Sequence, residues 1–181
     1  TPDIQALPRL LATTPAMARI NDQLSQLDAK ETSWAANCDV DPPNSYVERA
    51  VGVVFAGPRY FGLLTLNESF CPGAAHPNSG AMPLTFDLAT GAEVNWPDLF
   101  PSKLQAPIRH PNWTGYVIGS KALTALYLSQ AADMDAGCSP EIMSDNNGYF
   151  HVWPSAVDRG LVLQPTGLAY SNQACADPVV L

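Results

Sequence analysis

The sequence predicts an α+β domain in which helices pack on one face of an antiparallel sheet. Three observations predict it: an amphipathic helical pattern opens the chain, a block of strand-like segments follows, and a second helical stretch separates that block from another strand pair. At 181 residues the chain has the length of a single domain, 1–181, large enough to bury roughly two thirds of its unfolded surface. Hydrophobic residues make up 46% and charged residues 14%, the balance of a folding chain rather than a disordered one.

Each element has its own signal. Thr14 before Pro15 sets an N-cap ahead of a proline at the first helical position, and Met17, Ile20, Leu24 and Leu27 recur on one face. A helix is expected over 15–29, continuing after a bend through Trp34, because 31–37 holds no breaker; Pro42 and Pro43 end it. Residues 46–55 are rich in valine and aromatics, Gly57-Pro58 punctuates them, and 60–68 resumes the pattern, which predicts an antiparallel hairpin. A third strand is expected over 82–88 and a short fourth over 92–96, joined by a turn in which Asp87 bonds the backbone ahead and Gly91 takes positive φ. Residues 117–132 carry a broad apolar face and predict the second helix. The turn cluster Asp145-Asn146-Asn147-Gly148 introduces a further hairpin, 149–153 with 160–164, and 178–181 reads as a last edge strand.

Nine Lys and Arg against seventeen Asp and Glu give a net charge of −8, which repels nucleic acid and anionic lipid and steers a basic partner inward. No run approaches the eighteen apolar residues of a membrane span. Cys38, Cys71, Cys138 and Cys175 include no C-x-x-C pair, so they read as two disulfides rather than a zinc or dithiol site. Four cysteines allow three pairings; Cys38–Cys71 with Cys138–Cys175 is preferred because each joins segments within one half of the chain. Each closed loop would contribute about 3 to 4 kcal/mol on a chain-entropy estimate. The bland alternative is four buried thiols in a cytosolic protein. Disulfides imply a periplasmic or secreted protein. The start at Thr1, without Met or a leader, reads as a mature or trimmed product that has lost an export signal or lipid anchor.

The densest stretch is FCPGAAHPNSGAMPLTFDLATGAEVNWPDLF, 70–100, which packs a cysteine, a histidine loop, a strand, a turn and a Trp-Pro-Asp-Leu-Phe step together. His76 is the foremost candidate for function, because a loop between a cysteine and a hairpin can hold a side chain rigidly and still present it to a ligand. Its bland role is to bond a backbone carbonyl and lock that loop. Asp87 would be its acid–base or metal-binding partner, against the simpler role of an Asx-type cap; Asp98 likewise reads as an N-cap. Trp96 and Trp113, with Tyr149 and Trp153, would line a groove for glycan or peptide, or else fill the core. His110 and His151 stand apart and form no H-x-x-x-H or H-E-x-x-H pattern, and no G-x-S-x-G elbow is present. No cofactor or metal is expected. A Cys71–His76 nucleophile would require Cys71 to be free.

The order Ile4 through Pro8, Ile20-Asn21, a hairpin, Gly73-Ala74-Ala75-His76-Pro77, Phe86-Asp87-Leu88-Ala89-Thr90-Gly91 and Asp98-Leu99-Phe100 resembles the extracytoplasmic domain of RsiV anti-sigma factors, also found beside peptidoglycan deacetylase domains. An extra residue and Pro72 stand where that pattern has paired glycines, and its aromatic Pro-Tyr ending is absent. The resemblance implies an α+β fold, export and a binding role; in RsiV proteins the domain binds lysozyme, a basic protein. The expected function is therefore a noncatalytic binding or sensing domain for a basic protein or a peptidoglycan fragment. The alternative is a cell-wall-polymer hydrolase using His76 and Asp87.

Overall fold

The computed structural model describes residues 2–38, 41, 44–105, 116–131, 138, 149–168, 172 and 175–181, with the backbone alone at 116–118. Chain contacts gather into two compact units, Thr1–Ala92 and Glu93–Leu181. The mixed α and β content is as predicted, but one antiparallel sheet is replaced by two four-stranded sheets, ordered β1-β2-β3-β4 and β5-β6-β7-β8.

In the first unit, α1 spans Pro15–Ala36, its Thr14 Oγ1 accepting from the Met17 N–H at 3.2 Å. The helix continues through the predicted Trp34 to Ala36, as one element, because 31–36 holds no breaker. Strands β2 (Tyr46–Ala56), β3 (Tyr60–Phe70) and β4 (Asn78–Asp87) form an antiparallel meander. Strand β1, only Asp3–Ile4, adds to β2 in parallel and carried no pattern long enough to predict. Ile20 and Leu24 of α1 share a core with Leu7, Phe61, Leu63, Leu84 and Phe86. Phe61 sits opposite Phe86 and Leu63 opposite Leu84, so alternation sends all four to one sheet face. Each such side chain contributes roughly 1.5 to 3 kcal/mol by leaving water.

The turn after β4 docks on the start of α1. Asp87 Oδ1 accepts from the Ala89 N–H at 2.8 Å, and Gly91 takes φ +72. A Cβ on Gly91 would lie 2.4 Å from the Ala16 carbonyl oxygen, so this close approach requires glycine. Arg19 and Gln23 donate to the Thr90 and Gly91 carbonyls at 2.6 and 2.7 Å. No strand forms over 92–96. Instead Trp96–Leu99 is a helical turn, α2, with Pro97 in its first positions, where a missing N–H is harmless. Asp98 is accordingly inside the turn rather than its cap, its Oδ2 accepting from Asn95 Nδ2 at 2.7 Å.

A polar layer interrupts the apolar interface. Arg49 of β2 has a side chain only 2% accessible; it donates to the Gln5 carbonyl through Nε at 3.0 Å and Nη2 at 2.8 Å, and to Asp28 Oδ1. Asp28 also accepts from the Leu7 N–H at 3.1 Å and from Arg9 at 2.7 Å. Asn21 clasps Leu10, accepting from its N–H at 2.8 Å and donating to its carbonyl at 2.9 Å. The extended N-terminal segment is thus zipped between α1 and β2. On the far side of this layer a second cluster, Ala35, Cys38 and Val47, packs with Ile4 and Cys71.

In the second unit, residues 117–132 divide into β5 (Tyr116–Ile118) and α3 (Lys121–Gln130) instead of one helix. The β-branched pair Val117-Ile118 favours a strand, and Ser120 caps α3 by accepting from the Ala122 and Leu123 N–H groups. Strands β6 (Tyr149–Ser155) and β7 (Gly160–Thr166) form the predicted hairpin, and β8 (Val179–Val180) closes the edge. Tyr127 is fully buried, its ring 5.5 Å from that of Phe150, and its hydroxyl donates to the Asp177 carbonyl at 2.8 Å. Burial, with Asp177 nearby, pushes the Tyr127 hydroxyl up to about 12.

Replacing Asp28 by Asn would leave the Arg49 guanidinium buried without a counter-charge. The expected cost is about 2 to 3 kcal/mol, below the range for fully buried pairs because Asp28 is itself 19% accessible, read as a lower urea midpoint at neutral pH. Burial opposes the charged Asp28 carboxylate, but Arg9, the Leu7 N–H and Arg49 outweigh it and hold it below the usual 3.8. The pair's stabilisation is therefore present above pH 3.8 and lost as pH falls through the lowered value. The gap between wild type and Asp28→Asn should close in acid; a pH-independent gap would contradict the assignment.

Candidate functional site

Both disulfides form with the preferred pairing, Cys38–Cys71 and Cys138–Cys175. This is the chemistry of an oxidising compartment. With Cys71 bonded, no Cys71–His76 nucleophile exists. Among the described residues, no helix is long and apolar enough to cross a membrane.

His76 is exposed in the loop between β3 and β4, with Nδ1 2.9 Å from the Pro77 carbonyl oxygen. The loop is anchored at Cys71 by its disulfide and by a turn in which the Ala74 N–H donates to the Cys71 carbonyl at 3.0 Å. Asp87 lies at the other end of β4. Ten extended residues separate the two, roughly 30 Å, so the structure does not bring His76 and Asp87 into one site. Asp87 is occupied locally: the Ala89 N–H, then Arg59 at 3.3 Å, hold its carboxylate below the usual range against a smaller opposing effect of burial. Trp96 is buried, with 7% of its surface accessible, and so offers no face to a ligand. Trp113 and His110 lie outside the described residues. Trp153 is buried in β6 and Tyr149 half-buried at its start. Among the described residues, no three His, Cys, Asp or Glu side chains are placed to hold a metal ion.

A site that sequence reasoning missed lies on the same sheet face as the first core, beyond Arg49. The stripe Ile20, Leu24, Leu27 continues on α1 as Glu31 and Trp34, at helical spacing. The facing strand positions change in step: after Phe61, Leu63 and Thr65 come Asn67 and Ser69, paired with Gly80 and Asn78. Polar and missing side chains replace the apolar ones, and the interface opens into a groove of about 290 Å³ lined by Glu31, Trp34, Asn67, Asn78, Gly80 and Met82 among others. A Cβ on Gly80 would meet nothing within 4 Å, so its open space is real. Trp34 is 45% accessible.

The wall is fixed by its own hydrogen bonds. Thr65 Oγ1 donates to the Met82 carbonyl at 3.3 Å and so must accept from Asn67 Nδ2, 3.1 Å away. That sets the amide orientation and leaves Asn67 Oδ1 buried with no hydrogen-bond partner among the described residues. Glu68 also borders the groove, but alternation along β3 turns its carboxylate to the opposite sheet face. There it pairs with Glu48, which pairs with Asp3 of β1, placing three exposed carboxylates across three adjacent strands. None of the three joins an ion pair among the described residues.

No family model matches the chain, and no curated protein matches it.

His151 shows what a histidine does here when it is structural. It lies in β6, 6% accessible, and burial depresses it from 6.5 to about 4. It folds neutral, so its contribution is complete above pH 6.5 and is lost as pH falls toward 4, amounting to at most roughly 3 kcal/mol. His151→Gln should flatten the stability profile between pH 4 and 6.5; an unchanged acid slope would contradict this.

Proposed function

We propose that the chain is a noncatalytic binding or sensing domain of an exported protein, periplasmic or secreted, soluble or lipid-anchored, that recognises a basic protein. A peptidoglycan fragment is the other envelope ligand in view. In this reading α1 covers one sheet face of the first unit, as expected of an RsiV-type domain, and the opposite face is left for the partner.

The observation that carries the reading is the row Asp3, Glu48, Glu68. Like charges directly opposite on neighbouring strands work against sheet pairing. Folding gains nothing from them, and a local rule broken on an exposed surface is where function is to be sought. The net charge of −8 draws a cationic protein toward the chain, and a carboxylate row gives it a place to dock. Lysozyme, the ligand implied by the resemblance, is of this kind. The His76 loop, pinned by Cys38–Cys71 at the same end of the sheet, supplies a rigid rim.

The test is capture from an envelope extract. Wild-type protein should retain a basic protein, with capture falling as salt rises past about 0.1 M, where screening reaches roughly 10 Å. Replacing Glu48 and Glu68 together by Gln should raise the urea midpoint, by relieving repulsion, and weaken capture. His76→Ala should weaken it as well. Equal capture by the Gln variant would remove the surface from the account. Stoichiometric zinc, or peptidoglycan hydrolysis lost in His76→Ala, would replace binding by catalysis.

A further inference from the structure

We infer that the groove between α1 and the β3–β4 pair is a pocket for a guanidinium group, the arginine side chain of a basic protein partner. This rests on the binding reading above but concerns the opposite face of the sheet, and it is tested separately. Three features of the groove converge on that chemistry. Trp34, nearly half accessible, offers an aromatic surface on which a planar cation stacks. Glu31, one turn earlier on the same helical stripe, supplies a carboxylate, and the lining includes no Lys or Arg to neutralise it. The sheet wall is polar: the Asn67 and Asn78 side chains line it, and Asn67 Oδ1, though buried, has no donor among the described residues.

The complement of a polar wall beside a carboxylate and an indole is a flat, permanently charged fork of N–H donors. Guanidinium carries five such donors and no acceptor. An ammonium would meet the charge but not the plane, and a neutral sugar would leave the carboxylate without its counter-charge. Size agrees, since about 290 Å³ accommodates one long side chain rather than a folded segment. Gly80 leaves space where any side chain would project into the groove.

The probes are N-acetyl-arginine amide, its neutral isostere N-acetyl-citrulline amide, N-acetyl-lysine amide and an N-acetylglucosamine oligomer, titrated into the whole chain and followed by amide and indole NMR. Arginine amide should give saturable shifts at the Trp34 indole and at Asn67, Asn78 and Gly80. Lysine amide should bind more weakly, and citrulline amide and the sugar should not saturate. Glu31→Gln, a conservative change at a half-buried position, should weaken arginine binding roughly tenfold, the loss of one charge-assisted hydrogen bond. Trp34→Ala should weaken it too, with Trp34→Phe restoring part. Equal binding of citrulline, saturation by the sugar, shifts mapping elsewhere, or an unaffected Glu31→Gln variant would overturn the inference. If arginine amide fails to bind while capture still depends on Glu48 and Glu68, the pocket falls and the binding reading stands. If both fail, both fall.

Discussion

The contact between Arg49 and Asp28 is the constraint from which the first unit's architecture follows. A guanidinium this well buried is tolerable only when its donors are met, and here the Gln5 carbonyl and the Asp28 carboxylate meet them. Because those acceptors belong to the N-terminal segment and to α1, desolvating one arginine fixes three elements at once. The apolar cluster of Ile20, Leu24, Phe61 and Phe86 lies to one side of this layer, and the cluster around Val47 and Cys38 to the other. Burial drives the helix onto the sheet; the polar layer decides in which register it lands.

That register explains why a groove exists at all. A helix of 22 residues is about 33 Å long, and its first half is sealed by large apolar side chains on both surfaces. Over its second half the helix presents Glu31 and Trp34, and the sheet presents Asn67, Ser69, Asn78 and Gly80. At these positions the two surfaces do not close by hydrophobic contact, although Ala35 beside them packs with Val47 and Cys38. The Cys38–Cys71 disulfide nevertheless ties the end of α1 to the end of β3, so the two cannot separate. A cleft held at both ends, by a buried ion pair and by a covalent bond, is preorganised, and little ordering cost remains for a ligand.

Much of this fold was legible where local chemistry speaks plainly. Thr14-Pro15 and the stripe from Met17 to Leu27 announced α1, Gly57-Pro58 announced the β2–β3 hairpin, and the positions of the cysteines favoured the pairing that forms. The misreadings have physical causes. Residues 92–96 alternate like a strand, but Trp96-Pro97-Asp98 opens a helical turn; 117–118 belong to a strand because Ser120, a strong cap, starts the helix only after them. Strand β1 is held by two residues and by Gln5, whose contacts with Arg49 and Val51 are purely tertiary. Of the candidate residues, His76 and Asp87 are close in sequence but divided by an extended strand, whereas the groove joins residues from α1, β3 and β4 that no motif connects. Its one sequence signal was the helical stripe turning from leucine to glutamate at residue 31.

The end of the first sheet beyond Arg49, acidic on both faces, is the place we propose for a cationic partner. Zero-length carboxyl–amine crosslinking in envelope extract, followed by mass-spectrometric mapping, tests it most directly. The account predicts crosslinks concentrated at Asp3, Glu31, Glu48 and Glu68, to lysines of one basic protein. Crosslinks spread evenly over the chain's carboxylates, or gathered at Asp158 and Asp177 of the second unit, would contradict it.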